Sequence, residues 1–209
     1  MRRALLILSI VAVALPAQQA PKGKSAPAAP SAPLAPYAAV KVAVVPVQFY
    51  RADSSGSVTP PALAMRAAFD SLLSEAMDEH GLKGTWATPA DVIRSAKRNP
   101  TYLSDARNLG AFPVRHGINN KDAQIPDPLA SNLRRVVALH DARYLLMPVE
   151  LHVDATKNGV QLGVLLLLVD ARLNSPIWQA DLIGESAAAY SPALLQKLTT
   201  RVAELVVAP

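Results

Sequence analysis

The stretch from Arg143 to Glu185 constrains the fold of this chain most, because it holds three successive strand-like segments separated by turn signals. Residues 144–154 alternate in character, which is typical of a β-strand with two different faces. The pair Asn158-Gly159 favours a hairpin turn, and residues 160–172, apolar on both faces at their centre, are typical of an interior strand. A third strand around Trp178 has one apolar and one polar face. The sequence therefore predicts an antiparallel meander.

The remaining segments predict helices and strands around this meander. Residues 40–50 are rich in β-branched side chains and indicate a buried strand, in which Pro46 requires an edge or a bulge because it has no N–H. Helical spacing and capping signals predict helices at 61–80 and 88–98 and helices beginning near 127 and 191, with a short strand at 82–87. We therefore expect an α/β (α+β) domain over residues 38–209. Its mixed sheet has about five strands in the order β-α-β-α-α-β-β-β-α, with the helices packed on the sheet.

The first 37 residues carry the signals of an exported protein. Arg2 and Arg3 precede an apolar run at 4–15, which is shorter than the roughly 20 residues of a membrane-spanning helix. We predict a secretory signal at 1–20, with an uncleaved anchor as the alternative, and a Pro/Ala-rich linker at 21–37. The expected location is periplasmic or secreted, with no transmembrane span in the mature chain. Because the chain has no cysteine, we expect neither a lipid-modified N-terminal cysteine nor a disulfide.

The basic isoelectric point of about 9.6 does not predict nucleic-acid binding. Four of the 21 basic residues lie within the first 24 positions, where there is no acidic residue, so the rest of the chain carries 17 basic and 16 acidic side chains. The pairs Lys97-Arg98 and Arg134-Arg135 lack an aromatic platform for bases. We therefore expect no nucleic-acid partner.

The strand predicted at 144–154 carries the most suggestive polar cluster. Its alternation puts Glu150, His152 and Asp154 on one face, where they could hold zinc or transfer a proton. The opposite face is apolar throughout, with Leu145, Met147, Val149, Leu151 and Val153. The alternative, which we prefer, is a solvated strand end whose charges protect an edge. In the same way, Asp170 and Asp181 are interpreted as members of surface ion pairs of little energetic value.

Residues 99–127 form the least regular part of the predicted domain. Loops of this length within compact domains are usually functional or disordered. The candidates for contact with a partner or ligand are Tyr102, Phe112, Arg115 and His116, and the alternative is a mobile insertion that binds nothing. Common motifs for nucleophilic, metal or nucleotide chemistry are absent from the sequence. We accordingly predict no catalytic residue, no metal and no cofactor.

Four segments resemble a group of bacterial envelope proteins. They are AVVPVQF at 43–49, ATPADV at 87–92, ARYLLMPVEL at 142–151 and LVDARLNSPIWQADLIGES at 168–186. The group comprises the curli-secretion lipoproteins, the lipoprotein activators of penicillin-binding proteins and the amino-terminal domain of the Tol–Pal propeller protein. The resemblance implies a periplasmic α/β domain that works through protein contacts. Lipid anchoring does not carry over without a cysteine, and pore formation does not carry over because 99–127 lacks the long alternation of membrane strands.

Three functions remain open from the sequence. The first is an exported, non-catalytic protein-interaction module in envelope assembly or transport, with envelope proteins as partners. The second is a domain that binds a small ligand or glycan through residues 99–127. The third is a hydrolase that uses the region of Glu150.

Overall fold

The computed structural model describes residues 32–53, 59–118, 123–157 and 159–207. The predicted secretory signal and the linker as far as residue 31 lie outside the described residues, as does Asn158 of the predicted hairpin turn. Within the described ranges, no helix combines the length and the apolar character needed to cross a membrane.

The described strands form one mixed sheet. They are β1 (Val42–Val44), β2 (Phe49–Ala52), β3 (Trp86–Ala87), β4 (Tyr144–Thr156), β5 (Gly159–Asp170) and β6 (Ser175–Ala187). The sheet has the order β3-β1-β4-β5-β6, and β2 also pairs with β4. The pairs among β1, β2, β3 and β4 are parallel. Strand β5 is antiparallel to both of its neighbours, β4 and β6. This arrangement confirms the predicted mixed sheet and its C-terminal meander.

Helices cover both faces of the sheet and divide the apolar side chains into two cores. They are α1 (Ala62–Glu79), α2 (Pro89–Arg98), α3 (Leu129–Leu139) and α4 (Pro192–Glu204). The first core contains buried residues of α1 and α4, and the second contains those of α2, α3 and the irregular segment at 99–127. Successive residues of β5 alternate between the two cores. Coverage of both faces explains why the sequence of β5 is apolar almost throughout.

The strand predicted at 40–50 is two strands, so the sheet has six strands where the sequence indicated about five. Pro46 lies in the gap between β1 and β2, as its missing N–H requires. The backbone N–H of Val47 donates to Asp70 of α1, and that of Gln48 donates to the carbonyl of Pro148. The interruption therefore leaves these two backbone donors satisfied.

The face assignment predicted for β4 is wrong beyond Val149. The register of β4 against β5 shifts between Pro148 and Glu150, which marks a β-bulge. Leu145, Met147 and Val149 lie in the second core, but Leu151 and Val153 lie in the first. Because one extra residue reverses every later side chain, Glu150 and His152 point to the face that carries α2 and α3.

The packed domain extends into the stretch predicted as a linker. The side chain of Leu34 is fully buried in the first core, and its backbone N–H donates to the carbonyl of Leu205 beyond the end of α4. Residues 35–37 form a short 3-10 turn, and Trp86 donates its indole N–H to the carbonyl of Tyr37. The described part of this stretch is therefore anchored to the core.

Candidate functional site

The polar cluster predicted on β4 is buried. Glu150 is 6% exposed and His152 is 5% exposed, and β4 lies inside the sheet between β5 and the parallel strands. The prediction of a solvated end on an edge strand is therefore wrong for these two residues. The bulge after Pro148 is the cause, because it turns both side chains to the face of the sheet that carries the second core.

Two arginines from different parts of the chain bind Glu150. Arg51 of β2 places its Nε 3.3 Å from Oε1, and Arg115 places its Nε 2.6 Å from Oε2. The guanidinium of Arg115 also lies over the ring of Phe49, 4.9 Å from its centroid. The structure thus joins a candidate from the irregular segment to a candidate from β4.

His152 connects the two strands that flank β5. Its Nδ1 lies 2.6 Å from Oδ2 of Asp154, and its Nε2 lies 2.9 Å from Oδ1 of Asp181 on β6. Only the imidazolium form has two N–H donors, so this form satisfies both carboxylates. Gly163 of β5 lies beneath the ring, and a Cβ there would overlap its Nε2. The absence of a side chain at Gly163 makes the connection across β5 possible.

These contacts close into one network of charges. Arg51 also binds Asp154, with 2.8 Å between Nη1 and Oδ1. Burial opposes the charge on Asp154, but hydrogen bonds from His152 and Arg51 outweigh it and hold the pKa of Asp154 below its ordinary value. The members of this six-residue network are Arg51, Arg115, Glu150, His152, Asp154 and Asp181. With an imidazolium at His152, three positive charges balance three negative charges.

The six-residue network stabilises the fold and offers little for catalysis. Each of its three carboxylates binds an arginine or His152, and Glu150 is bound on both oxygens. Within the part of the chain that the structure describes, no three side chains of the metal-binding types are arranged to hold a metal ion. The network holds β2, β4, β6 and the segment around Arg115 in fixed relative positions.

The irregular segment at 99–127 covers the second core over its described residues. Its buried apolar side chains are Leu103, Ala106, Leu109, Ala111, Val114 and Ile125. Of the four candidates predicted here, only Arg115 joins the network, whereas Tyr102, Phe112 and His116 are exposed. The backbone N–H of Ile118 donates to Gln179 of β6 at 2.8 Å. The described segment is thus fastened to the sheet, and a role for its exposed residues in binding stays a prediction.

A second buried charge cluster was not predicted from the sequence. Asp70 of α1 accepts from the backbone N–H of Val47 at 2.9 Å and from Arg107 at 3.1 Å. Arg66 donates to the carbonyl of Val47 at 3.1 Å. Burial raises the pKa of Asp70 to about 6. This cluster fastens the interrupted strand to α1, and no spacing rule in the sequence connects its members.

The two aspartates interpreted as surface pairs have other roles. Asp170 is buried, and it binds Arg143 at 2.6 Å while accepting from the backbone N–H groups of Arg172 and Leu173. Asp181 binds His152, as described above. The interpretation of Asp170 as a weak surface pair is therefore wrong, because its carboxylate organises the turn between β5 and β6.

Strand β6 forms one edge of the sheet. It runs for 13 residues, and among the described strands it pairs with β5 alone. Trp178 and Leu182 pack against the first core, as predicted. The opposite face is exposed and carries Ile177, Gln179, Asp181, Ile183 and Glu185. Ile177 and Ile183 are 41% and 38% exposed, so this face combines apolar and acidic side chains.

No family model matches the chain, and no curated protein matches it. Among solved structures it is similar to the PelC dodecamer from Paraburkholderia phytofirmans, at 14% identity and a TM-score of 0.40, over 84% of this chain and 92% of that one. It is similar to the LpoB C-terminal domain from Salmonella enterica, at 13% identity and a TM-score of 0.38, over 73% and 96%. It is also similar to lipoprotein GNA1162 from Neisseria meningitidis, at 18% identity and a TM-score of 0.37, over 81% and 97%. Each of these similarities is one of fold.

Proposed function

We propose that this chain is an exported, non-catalytic protein-interaction module of the bacterial cell envelope, active in assembly or transport. Its contact surface is the outer edge of β6 together with the exposed face of that strand. The observation that carries this proposal is the length of β6, which presents an edge of 13 residues beside an exposed face with two isoleucines.

An edge strand of this length is a template for another strand. Proteins usually protect such edges with lysine, proline, bulges or short strand length. On β6, Pro176 stands near the start, and the carbonyl of Ile183 accepts from Arg201 at 2.6 Å. The register of β6 against β5 shifts between Pro176 and Trp178 and again between Ile183 and Ser186, so the regular part of the edge lies between these shifts. The outward positions between them carry no lysine. An added strand would gain main-chain hydrogen bonds along this stretch and side-chain contacts at alternate positions.

The exposed face of β6 defines the chemistry of the partner. Ile177 and Ile183 favour apolar side chains at alternate positions of an added strand. The six-residue network holds part of this surface in place, because His152 binds Asp181 across β5. A surface held in place loses less entropy on binding than a mobile one. The partner is thus an extended protein segment with apolar side chains at alternate positions.

A photo-crosslinking residue at Gln179 tests the proposal in envelope extract. We expect one stoichiometric partner, crosslinked through an extended segment that mass spectrometry locates. The double variant Ile177→Lys/Ile183→Lys should lose this product. Leu63→Lys on α1 should retain it, because Leu63 is 71% exposed but lies outside β6. Recovery of the same product from the β6 variant would contradict the proposed surface, and recovery of no partner would contradict the function.

The other two functions have less support. Hydrolysis at Glu150 requires a carboxylate that can reach a substrate, but both oxygens of Glu150 bind arginines. Exposed side chains support binding of a small ligand or glycan by residues 99–127, and among them Phe112 is 72% exposed. Many apolar residues of that segment are committed to the second core, so we place the interaction surface on β6.

A further inference from the structure

A separate cavity lies at the end of the sheet away from the six-residue network. It has a volume of about 350 Å³ and lies between the start of β1, the short strand β3 and helix α2. This volume falls at the lower end of the range for small-molecule sites, roughly 300–1,000 Å³. The cavity does not overlap the surface of β6, so an inference about it is independent of the proposed function.

One face of α2 supplies much of the polar lining. Asp91, Arg94, Ser95 and Arg98 all line the cavity, and their spacing of three and four residues places them on the same side of the helix. The start of α2 is fixed by a capping box, in which the hydroxyl and backbone N–H of Thr88 both bond to Asp91. Arg94 and Arg98 therefore project from a well-anchored helix.

The lining carries more positive than negative charge. Lys41, Arg94 and Arg98 face the cavity, and Asp91 is its one acidic lining residue. Asp91 is already engaged by Thr88 and by Arg94 at 2.8 Å. Lys41 binds Asp141 at 2.6 Å. When Asp91 and Asp141 are set against Lys41, Arg94 and Arg98, a surplus of one positive charge is left. Within the described residues, Arg98 has no acceptor for its guanidinium.

His140 lines the same cavity. It lies at the end of α3, and its Nε2 is shielded from solvent without a hydrogen-bond partner among the residues described. Burial lowers the pKa of His140, which favours a neutral ring with one N–H donor. Because Nε2 has no accessible surface, a ligand in the cavity cannot accept from it, and His140 contributes to the wall without a donor.

We propose that this cavity binds a small molecule through a phosphate group. Arg94 and Arg98 contact its oxygens from α2, and Lys41 contacts them from the position before β1. Arginine forks match phosphate geometry. Three cationic side chains from two parts of the chain suit a phosphate with three terminal oxygens better than a carboxylate with two. The ligand class is therefore inorganic phosphate or a small phosphate monoester, whether free or as a lipid headgroup.

Isothermal titration of the whole protein with inorganic phosphate, glycerol 3-phosphate and acetate tests this assignment. We expect saturable binding of both phosphates and weaker binding of acetate. Arg98→Gln and Arg94→Gln should each weaken phosphate binding by about tenfold or more. Lys97→Gln is the matched control, because Lys97 carries the same charge on α2 but does not line the cavity. Its affinity for phosphate should remain that of the unchanged protein.

Three results would overturn the assignment: no saturable phosphate binding, equal binding of acetate, or an equal loss in Lys97→Gln and Arg98→Gln. An equal loss in the two variants would show that phosphate is attracted to the basic surface in general and does not bind in the cavity. A free ligand and a lipid headgroup are distinguished by sedimentation of the protein with phosphatidylcholine vesicles, prepared either with or without phosphatidic acid. Tighter binding to phosphatidic acid than to glycerol 3-phosphate identifies a lipid headgroup. Binding of glycerol 3-phosphate without sedimentation identifies a free ligand, and both outcomes support the phosphate site.

Discussion

The guanidinium of Arg115 donates to the carboxylate of Glu150 at 2.6 Å, and this ion pair fastens the irregular segment to the middle of the sheet. Arg51 binds the other oxygen of the same carboxylate. Loss of Glu150 would therefore leave two cationic side chains without their shared partner, in a region that β2, β4 and the segment around Arg115 all border.

Glu150→Ala should destabilise the domain by roughly 3 kcal/mol, because removal of one partner from a buried ion pair leaves uncompensated charge. Urea denaturation measures this change, and hydrogen exchange at residues 112–118 should accelerate with it. Glu185→Ala is the matched control, since Glu185 and Lys197 form a pair at 2.7 Å with both side chains exposed. Its cost should stay below about 1 kcal/mol. Equal costs for the two variants would contradict the buried role of Glu150.

Gly163→Ala should destabilise the domain by about 1–3 kcal/mol, because the new methyl group overlaps the ring of His152. The ring would move away from Asp154 and Asp181. In a His152→Ala background the overlap with the ring is gone and only the end of the flexible Ile183 side chain stays close, at 2.9 Å, so the same substitution at Gly163 should cost much less. A double-mutant cycle by chemical denaturation measures the coupling. Additive costs would show that Gly163 serves some purpose other than making room for His152.

The raised pKa of Asp70 should make the free energy of unfolding depend on pH in the mildly acidic range. Burial raises its pKa from 3.8 to about 6, so the folded protein takes up the proton before the unfolded chain does. Its protonation therefore stabilises the fold as the pH falls from above 6 towards 3.8, by up to about 3 kcal/mol, and this contribution is lost as the pH rises through 6. His140 acts in the opposite direction, because burial lowers its pKa.

The difference in unfolding free energy between the unchanged protein and Asp70→Asn isolates the contribution of Asp70. The unchanged protein should gain stability relative to the variant as the pH is lowered through that window. Denaturant titrations at several pH values measure this difference. A difference that does not vary between neutral pH and about pH 4 would show that Asp70 does not take up a proton there.

Asp170 should contribute stability with the opposite pH dependence. Burial opposes its charge, but Arg143 and the backbone N–H groups of Leu173 and Arg172 outweigh burial and lower the pKa of Asp170. The contribution is present above the ordinary value of 3.8 and is lost as the pH falls through the lowered pKa. Asp170→Asn should cost about 2 kcal/mol near neutral pH. In denaturant titrations, the gap to the unchanged protein should close in strong acid, and a persistent gap would contradict this account.

Much of the fold was predictable because it depends on local signals. The capping residue Thr88, the apolar runs of β5 and the one-sided pattern around Trp178 each predicted a structure that the chain adopts. The order of elements followed from these signals. Pro46 indicated a disturbance of the first strand but could not show that the strand divides in two.

The candidate site was predictable only in part. The sequence selected Glu150, His152 and Asp154 because they alternate on one strand, and it selected Arg115 because it lies in a long irregular segment. It could not connect Arg115 with Glu150, and it did not select Arg51 or Asp181 as partners of these residues. Those partners come from the pairing of β2 and β6 with the rest of the sheet, over sequence separations that no local pattern encodes.

The sequence by itself determined the α/β class, the meander and the helices that cover it, because hydrophobic periodicity and capping are local properties of the chain. The tertiary structure alone decided that Glu150 and His152 are buried. A single bulge after Pro148 reverses the two faces of β4, and periodicity cannot report a one-residue shift that is set by pairing with β5. The stretch from Arg143 to Glu185 is thus the scaffold of the domain, with a buried charge network on one face and an exposed strand at its edge.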